Sequence, residues 1–455
     1  MRALQNSFAP KRLPRPCFLL IALAISCGGF AQEPGLLGIT YSDIADPEVE
    51  RLQLDSAVGA IVHLVLPSLQ NDVQVDDIIV AADGKPILDS FDLSQITKDL
   101  ESGQTITVEL LRHGERRTTE FTASLSQEDF NTQMRKLAKE GELHAQVFFQ
   151  ENYLLFNQVE PGPPSDDSDS LINYLESLSN SSEPSALFAV GSSHEWGLGT
   201  AIDKKEAARW FRRAARLGYP GAMYKVAWGY HDRESPIYQQ VYSWASKAAD
   251  RNNVDAITCL GWCREYGLGV QRDYEKSLEH YLTAARRGYS LAQFNAGQMF
   301  RTGVAGEQNL PEALSWFEKA AAGGYADAAF QVGYAYEWAA GTEADFDRAK
   351  QMYELAIERG SIAGEWGLGT MELYGHGTAV DYSAAIKRFQ VAADAGYSDA
   401  YNSLAYMLDN GLGFPRNGTI ATILYLKAEK LGNTAATEQL RMRFARTAPP
   451  VTPTP

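Results

Sequence analysis

A unit of about 36 residues recurs through the C-terminal half of this chain. Its clearest marker is a Gly-Tyr pair, at Gly218-Tyr219, Gly288-Tyr289, Gly324-Tyr325 and Gly396-Tyr397, with weaker copies in register at Gly360-Ser361 and Gly432-Asn433. A period of this size is the signature of stacked helical hairpins. Each hairpin has an apolar face that it cannot bury alone, so neighbours bury it in turn. Such a stack offers an extended surface rather than a deep catalytic pocket. Seven units align, at 185–220, 221–254, 255–290, 291–326, 327–362, 363–398 and 399–434, the second of them two residues short.

A well-formed unit reads DAITCLGWCREYGLGVQRDYEKSLEHYLTAARRGYS. Ala256, Leu260 and Gly261 share one face of its first helix, and Gly267 and Gly269 mark the reversal, as do Gly197/Gly199, Gly375/Gly377 and Gly411/Gly413. The second helix places an aromatic pair and then small residues toward its neighbour, as in Trp210-Phe211 with Ala214-Ala215 and Trp316-Phe317 with Ala320-Ala321. Small residues let helices approach closely and aromatics fill the gaps between hairpins. The pattern LGxxYxxGxGV followed by DxxKAxxWYxKAAxxG resembles that of Sel1-like repeats, relatives of the tetratricopeptide repeat. The resemblance implies a right-handed superhelix and adaptor work in assembling complexes.

The repeat frame also singles out a surface. The residue after the first-helix Gly or Ala is aromatic in four units, at Trp228, Trp262, Tyr334 and Tyr406. Three residues further on, along the same helical face, Glu195, Glu265, Glu337 and Asp409 are acidic. Two readings follow. The columns form an inner surface suited to a peptide with apolar and basic groups, or the aromatics pack against adjacent first helices.

Residues 35–125 have a different rhythm. GAIVHLVL (59–66) is strand-like, and VDDIIVAADGKPI follows with Asp83-Gly84 as a tight hairpin turn. FDLSQITKDLES (91–102) has helical spacing at Leu93, Ile96 and Leu100. TITVELLRHGERRTTEFTASL alternates through two strands about His113-Gly114. This order resembles a PDZ domain of the bacterial HtrA type. Leu36-Leu37-Gly38-Ile39 matches its carboxylate-binding loop, and DDIIVAADGKPI matches its GDxIxxxNGxxI segment with Asp76 where the family usually has Gly. The resemblance implies binding by strand addition. The terminal carboxylate of a peptide would meet backbone N–H groups near Leu37 and Gly38, with Ile39, Tyr41, Leu93 and Ile96 as apolar walls. Leu93 and Ile96 read equally well as core.

The first 31 residues have the pattern of an export signal. Arg2, Lys11, Arg12 and Arg15 precede the apolar run 17–26, and Gly29-Phe30-Ala31 offers small residues for cleavage. Ala24-Ile25-Ser26-Cys27 gives the competing reading, a lipid anchor on Cys27. Residues 126–184 read as a linker with a degenerate capping repeat, and 435–455 as a C-terminal cap followed by a Pro-rich tail. Cys259 and Cys263 sit one helical turn apart, where Cβ atoms lie about 5–6 Å from each other against the roughly 3.8 Å of a disulfide, so they read as packed thiols.

The net charge of −16 disfavours nucleic acid, which rewards clustered Lys and Arg. The nucleophile-elbow, zincin, P-loop and C-x-x-C motifs are absent from the sequence. The expectation is an α+β multidomain protein: a small PDZ-like β-barrel, then an all-α superhelical solenoid of Sel1-like hairpins. Its expected role is that of a non-enzymatic adaptor for protein or peptide ligands, without cofactor, metal or membrane span, in the periplasm of a Gram-negative bacterium. The alternative role is an accessory subunit of a periplasmic hydrolase or cell-wall-active enzyme.

Overall fold

The structure, a computed structural model, describes residues 39–447 apart from gaps, the longest being 66–72, 124–132 and 146–177. The export-like segment, Cys27, the Leu37-Gly38 loop, most of the linker and the tail from 448 lie outside the described residues. The chain forms two compact bodies, one reaching to Ala292 and one beginning at Gln293.

The first body opens with an antiparallel sheet of β1 (Ile39–Asp43), β2 (Ala60–Val65), β3 (Ile78–Ala82), the short β4 (Lys85–Pro86), β5 (Thr105–Arg112) and β6 (Glu115–Thr122). Their order is β1-β2-β3-β5-β6, with β4 paired to β3. Two helices accompany the sheet, α1 (Asp46–Leu52) and α2 (Ser90–Thr97). Alternation along β5 sends Ile106, Val108 and Leu110 inward, where they join Ala60, Val62, Ile79, Leu93 and Phe121 in one core. The turns form where expected. Asp83-Gly84 and His113-Gly114 have φ of 47°, 71°, 52° and 80°, the left-handed pair that twisted two-residue hairpins need. Asp76, the departure from the PDZ pattern, also takes φ 73°. Aspartate tolerates that region better than most side chains, and its carboxylate accepts a 2.8 Å bond from Arg51 Nη2. A buried ion pair ties the residue before β3 to the end of β5. Arg112 donates through Nε and Nη2 to the two oxygens of Asp77, 2.7 Å each.

Helical hairpins follow in both bodies. In the unit at 255–290 the first helix is Val254–Tyr266 and the second Tyr274–Arg286. Gly267 ends the first at φ 70°, its N–H donating to the Cys263 carbonyl. Asp273 starts the second by accepting from the Lys276 N–H at 3.0 Å. Asp203, Asn309, Asp345, Asp381 and Asn417 cap the equivalent helices the same way. The first-helix glycine has a steric cause. A Cβ on Gly261 would lie 2.7 Å from the Tyr281 ring, and Gly191, Gly297, Gly333 and Gly369 meet Phe211, Phe317, Tyr353 and Phe389 alike. Glycine and ring are thus two halves of one packing joint, 20 residues apart in each of these five units. Cys259 and Cys263 are free and buried.

A longer period overlies the 36-residue one. In the units at 255, 327 and 399 the ring is a tyrosine, and the first helix supplies a carboxylate to its hydroxyl. Tyr281 donates to Glu265 at 2.8 Å and Tyr353 to Glu337 at 2.6 Å; Tyr425 is joined to Asp409. The same units begin with Asp255, Asp327 and Asp399, which bond the turn residues Tyr289, Ser361 and Asn433. In the intervening units the ring is Phe317 or Phe389 and these positions hold Leu291, Ala363, Arg301 and Leu373. The apolar ring needs no carboxylate, so polar and apolar joints alternate.

Candidate peptide groove and its seat on the repeats

β1 pairs with β2 from Ile39↔Val65 to Asp43↔Ala60, with a bulge between Thr40 and Tyr41. It stands at one end of the sheet order, so its other edge, like that of β6 at the far end, pairs with no strand among the described residues; β1 is the one of the two with α2 alongside. α2 runs beside it. The Tyr41 hydroxyl lies 3.4 Å from Thr97 Oγ1, and burial raises the Tyr41 pKa above its ordinary value. Ile96 is partly buried against the sheet core. Leu93 is fully buried there, with none of its surface exposed. It is therefore core, correcting its expected place on the groove wall, because its position on α2 faces directly into the sheet. The Ile39 side chain, like Leu37 and Gly38, is outside the described residues.

The start of α2 is tied to the end of β1. Asp43 Oδ1 accepts from the Ser90 N–H at 2.9 Å and the Ser90 hydroxyl at 2.6 Å. Asp89 caps the helix by accepting from the Asp92 N–H at 3.1 Å, and Asp92 in turn accepts from the Leu88 N–H at 2.8 Å. Three carboxylates thus crowd one helix end. Burial, and next the charge of Asp43, push the Asp89 carboxyl up to about 7, against the opposing pull of Arg287.

Arg287 comes from the Gly-Tyr turn that ends the unit at 255–290. It pairs with Asp89 through Nη2 and with Asp92 through Nε, the latter at 2.7 Å. All three side chains are nearly buried, at 10%, 3% and 11% exposure. The seat has a second point at α1. The Asp46 N–H donates to the Leu217 carbonyl at 3.1 Å, and Arg251 Nη2 bonds Asp46 Oδ1 at 2.5 Å. Gly218, at φ +85°, leaves the room that the Asp46 carboxylate occupies. Ala45 is buried among Leu187, Phe211, Ala214 and Tyr219 of the first hairpin. Beside it, burial and the neighbouring Glu48 push Glu183 up to about 8. None of these contacts was read from the sequence. Their one available signal is Arg287 itself, a charge beside a Gly-Tyr turn that carries Leu217 in the first unit.

The expected repeat surface takes a different form. Trp228 stacks on His231 at 4.4 Å between ring centroids, and Trp262 lies 6.2 Å from Trp228. The aromatics of adjacent first helices therefore pack on one another here. Tyr334 touches Phe330 and Trp338, while Tyr406 is 41% exposed. The acidic column is not a free one. Glu195 pairs with Lys225 at 2.6 Å, Glu265 with Tyr281 and Asp409 with Arg443. Glu337 is 3% exposed and accepts from Tyr353, with His376 Nδ1 at 2.9 Å. Its expected place on a binding surface is corrected: it is a buried joint of its own hairpin. Among the described residues no cluster of His, Cys, Asp or Glu could hold a metal, and no helix is long and apolar enough to cross a membrane.

Comparison with known proteins agrees with this architecture. The PDZ domain family matches residues 35–122. The Sel1 repeat family matches 184–219, 255–289, 290–325, 326–361, 362–397 and 398–433, leaving the short hairpin after 219 outside its ranges. Over 98 residues the chain is 31% identical to a probable periplasmic serine endoprotease DegP-like from Pseudomonas putida (strain W619), covering 21% of this chain and 20% of that protein. A namesake from Pseudomonas fulva (strain 12-X) is 34% identical over 87 residues, 18% of each chain. The chain spans about a fifth of the length of these relatives, and the likeness lies in the PDZ region. A solved structure, a protective antigen present in uropathogenic Escherichia coli strains and displaying an SLR fold, aligns with a TM-score of 0.51 at 23% identity over 70% of this chain and 68% of that one. That likeness is one of fold. The chain is a Sel1 repeat protein that carries a PDZ domain of the bacterial HtrA type ahead of its repeats.

Proposed function

We propose that this protein is an exported, non-enzymatic adaptor that takes an extended segment or a C-terminus in its PDZ groove and a second partner on its repeats. The observation that carries the reading is the outer edge of β1, unpaired among the described residues and lying beside α2. An unpaired strand edge with a helix alongside supplies main-chain hydrogen bonds and side-chain contacts to an added strand. Tyr41 and Ile96 are the described residues at that seam, and Leu37, Gly38 and Ile39 are the residues for the carboxylate end. On the repeats, all four aromatics of the column keep some exposure: Trp228, Trp262 and Tyr334 are partly exposed and Tyr406 is exposed. The domain bounds that go with this reading are 35–125 for the groove module and 185–434 for seven repeat units. Export is supported by the basic and apolar pattern of the first 31 residues and by the periplasmic description of the DegP-like relatives. Holding both partners at once would raise their effective concentration for each other.

A peptide array probed with the full-length protein tests the reading. Peptides with a free C-terminal carboxylate should bind, and the same peptides amidated should not. Equal binding of both sets removes the carboxylate-loop reading, and turnover of peptidoglycan or a β-lactam by the purified protein removes the non-enzymatic one.

A further inference from the structure

We infer that the repeats set the shape of the PDZ groove, with Arg287 as the positioning residue that fixes its helical wall. This rests on the reading of β1 and α2 as a peptide groove. α2 spans Ser90–Thr97, about two turns, far too short to hold its form alone. Its first turn gathers Asp43, Asp89 and Asp92, whose charges repel one another. Arg287 answers that charge from the neighbouring hairpin. Its guanidinium is a rigid planar fork, and three of its nitrogens point three ways: Nη2 to Asp89, Nε to Asp92 and Nη1 to the Asn252 carbonyl at 2.5 Å. The last bond roots the side chain in its own repeat stack. Arg359, at the same place 72 residues on, likewise donates Nη1 to a carbonyl of the preceding unit, that of Ala321 near the end of its second helix. The repeat thus supplies the root, and the PDZ carboxyls use the rest of the fork.

The contact continues along one face of α2. Phe91 meets Tyr289 edge-on, with centroids 5.8 Å apart, and the Arg287 guanidinium lies over the Phe91 ring at 5.8 Å. One turn further, Gln95 lies against Gly288, its Oε1 3.2 Å from where a Cβ would stand. Phe91, Asp92 and Gln95 therefore face the Arg287-Gly288-Tyr289 turn, while Leu93, Ile96 and Thr97 face the sheet and β1. A helix held on one face by the repeats and lining a groove with the other transmits any shift of that turn to the groove.

The experiment uses full-length protein and its Arg287→Gln and Arg287→Lys variants. The probe is the tightest wild-type binder from a library of random decapeptides with free C-terminal carboxylates, read by fluorescence anisotropy. Amide hydrogen exchange is followed at Leu93–Thr97 and along β5 and β6. Arg287→Gln should weaken the probe about tenfold and speed exchange at Leu93–Thr97, with β5 and β6 unchanged. Arg287→Lys keeps the charge and loses the fork, so it should fall between. Unchanged exchange at Leu93–Thr97 overturns the clamp itself. Faster exchange with unchanged affinity overturns its link to the groove. A library without any wild-type binder removes the groove reading and this inference with it, while the exchange data still report on the clamp. If Arg287→Gln also loses protection in β5 and β6, Arg287→Lys decides, and wild-type affinity there counts against the inference.

Discussion

In the PDZ sheet, polar partners are drawn from distant parts of the module: Asp77 meets Arg112 across 35 residues, Asp43 meets Ser90 across 47, and Tyr41 meets Thr97 across 56. In the hairpins the partners recur at two short spans, 16 residues for Glu265 and Tyr281 or Glu337 and Tyr353, and 34 for Asp255 and Tyr289 or Asp399 and Asn433. These distant pairs form only when the strands that carry them have come together. Each hairpin closes on itself and on its neighbour, so its stability is a sum of local terms. Damage to the sheet should therefore be global to that module, and damage to a hairpin confined.

The largest effect is expected from Asp77→Ala. It removes both charge-assisted bonds that the buried Arg112 guanidinium donates to Asp77, at a cost of about 3–5 kcal/mol. Urea titration should show the sheet lost while most helical ellipticity survives; loss of both in one step would erase the contrast between the regions. Next comes Gly333→Ala. Its Cβ would lie 2.7 Å from the Tyr353 ring, an overpacking worth about 1–3 kcal/mol. Exchange protection should fall in the hairpin at 327–362 and leave the sheet as it was.

A smaller effect, with a definite sign, comes from Glu183. Its folded pKa of about 8 lies above the ordinary 4.5, so between those values the native state binds more protons than the unfolded one. Stability at this seat is then full below the ordinary value and falls as pH rises through about 8. Glu183→Gln should flatten that fall in a series of melting curves from pH 5 to 9; an unchanged slope would assign the proton elsewhere. The smallest effect belongs to Arg348→Gln. Its ion pair with Glu318 is half exposed, at 50% and 38%, and removing such a pair changes stability by less than about 1 kcal/mol. A larger loss would mean that even surface pairs are structural in the hairpins.

What was legible in the sequence follows the same divide. The hairpins, their glycine turns and their aromatic–alanine packing repeat at one register, so each copy corroborates the others. The sheet was legible because Asp83-Gly84 and His113-Gly114 mark tight turns between alternating segments. Side-chain roles were less legible. Leu93 and Ile96 share a helix, and period alone does not tell the fully buried position from the partly buried one. The acidic column was visible, but not the tyrosine 16 residues on that engages it, because that pairing appears only in alternate units. The seat of the PDZ domain was hidden altogether. Its partners lie 195, 198 and 205 residues apart, a span that belongs to neither the PDZ pattern nor the repeat.

The PDZ domain and the hairpins up to Ala292 form one body, joined at Arg287 and at Asp46. A double-mutant cycle of Asp92→Asn and Arg287→Gln, read from urea unfolding of the sheet, measures the Arg287 join in solution. Residues in direct contact should show a coupling energy of about 1 kcal/mol or more. Effects that simply add, to within about 0.5 kcal/mol, would mean that the two modules are tethered without being joined.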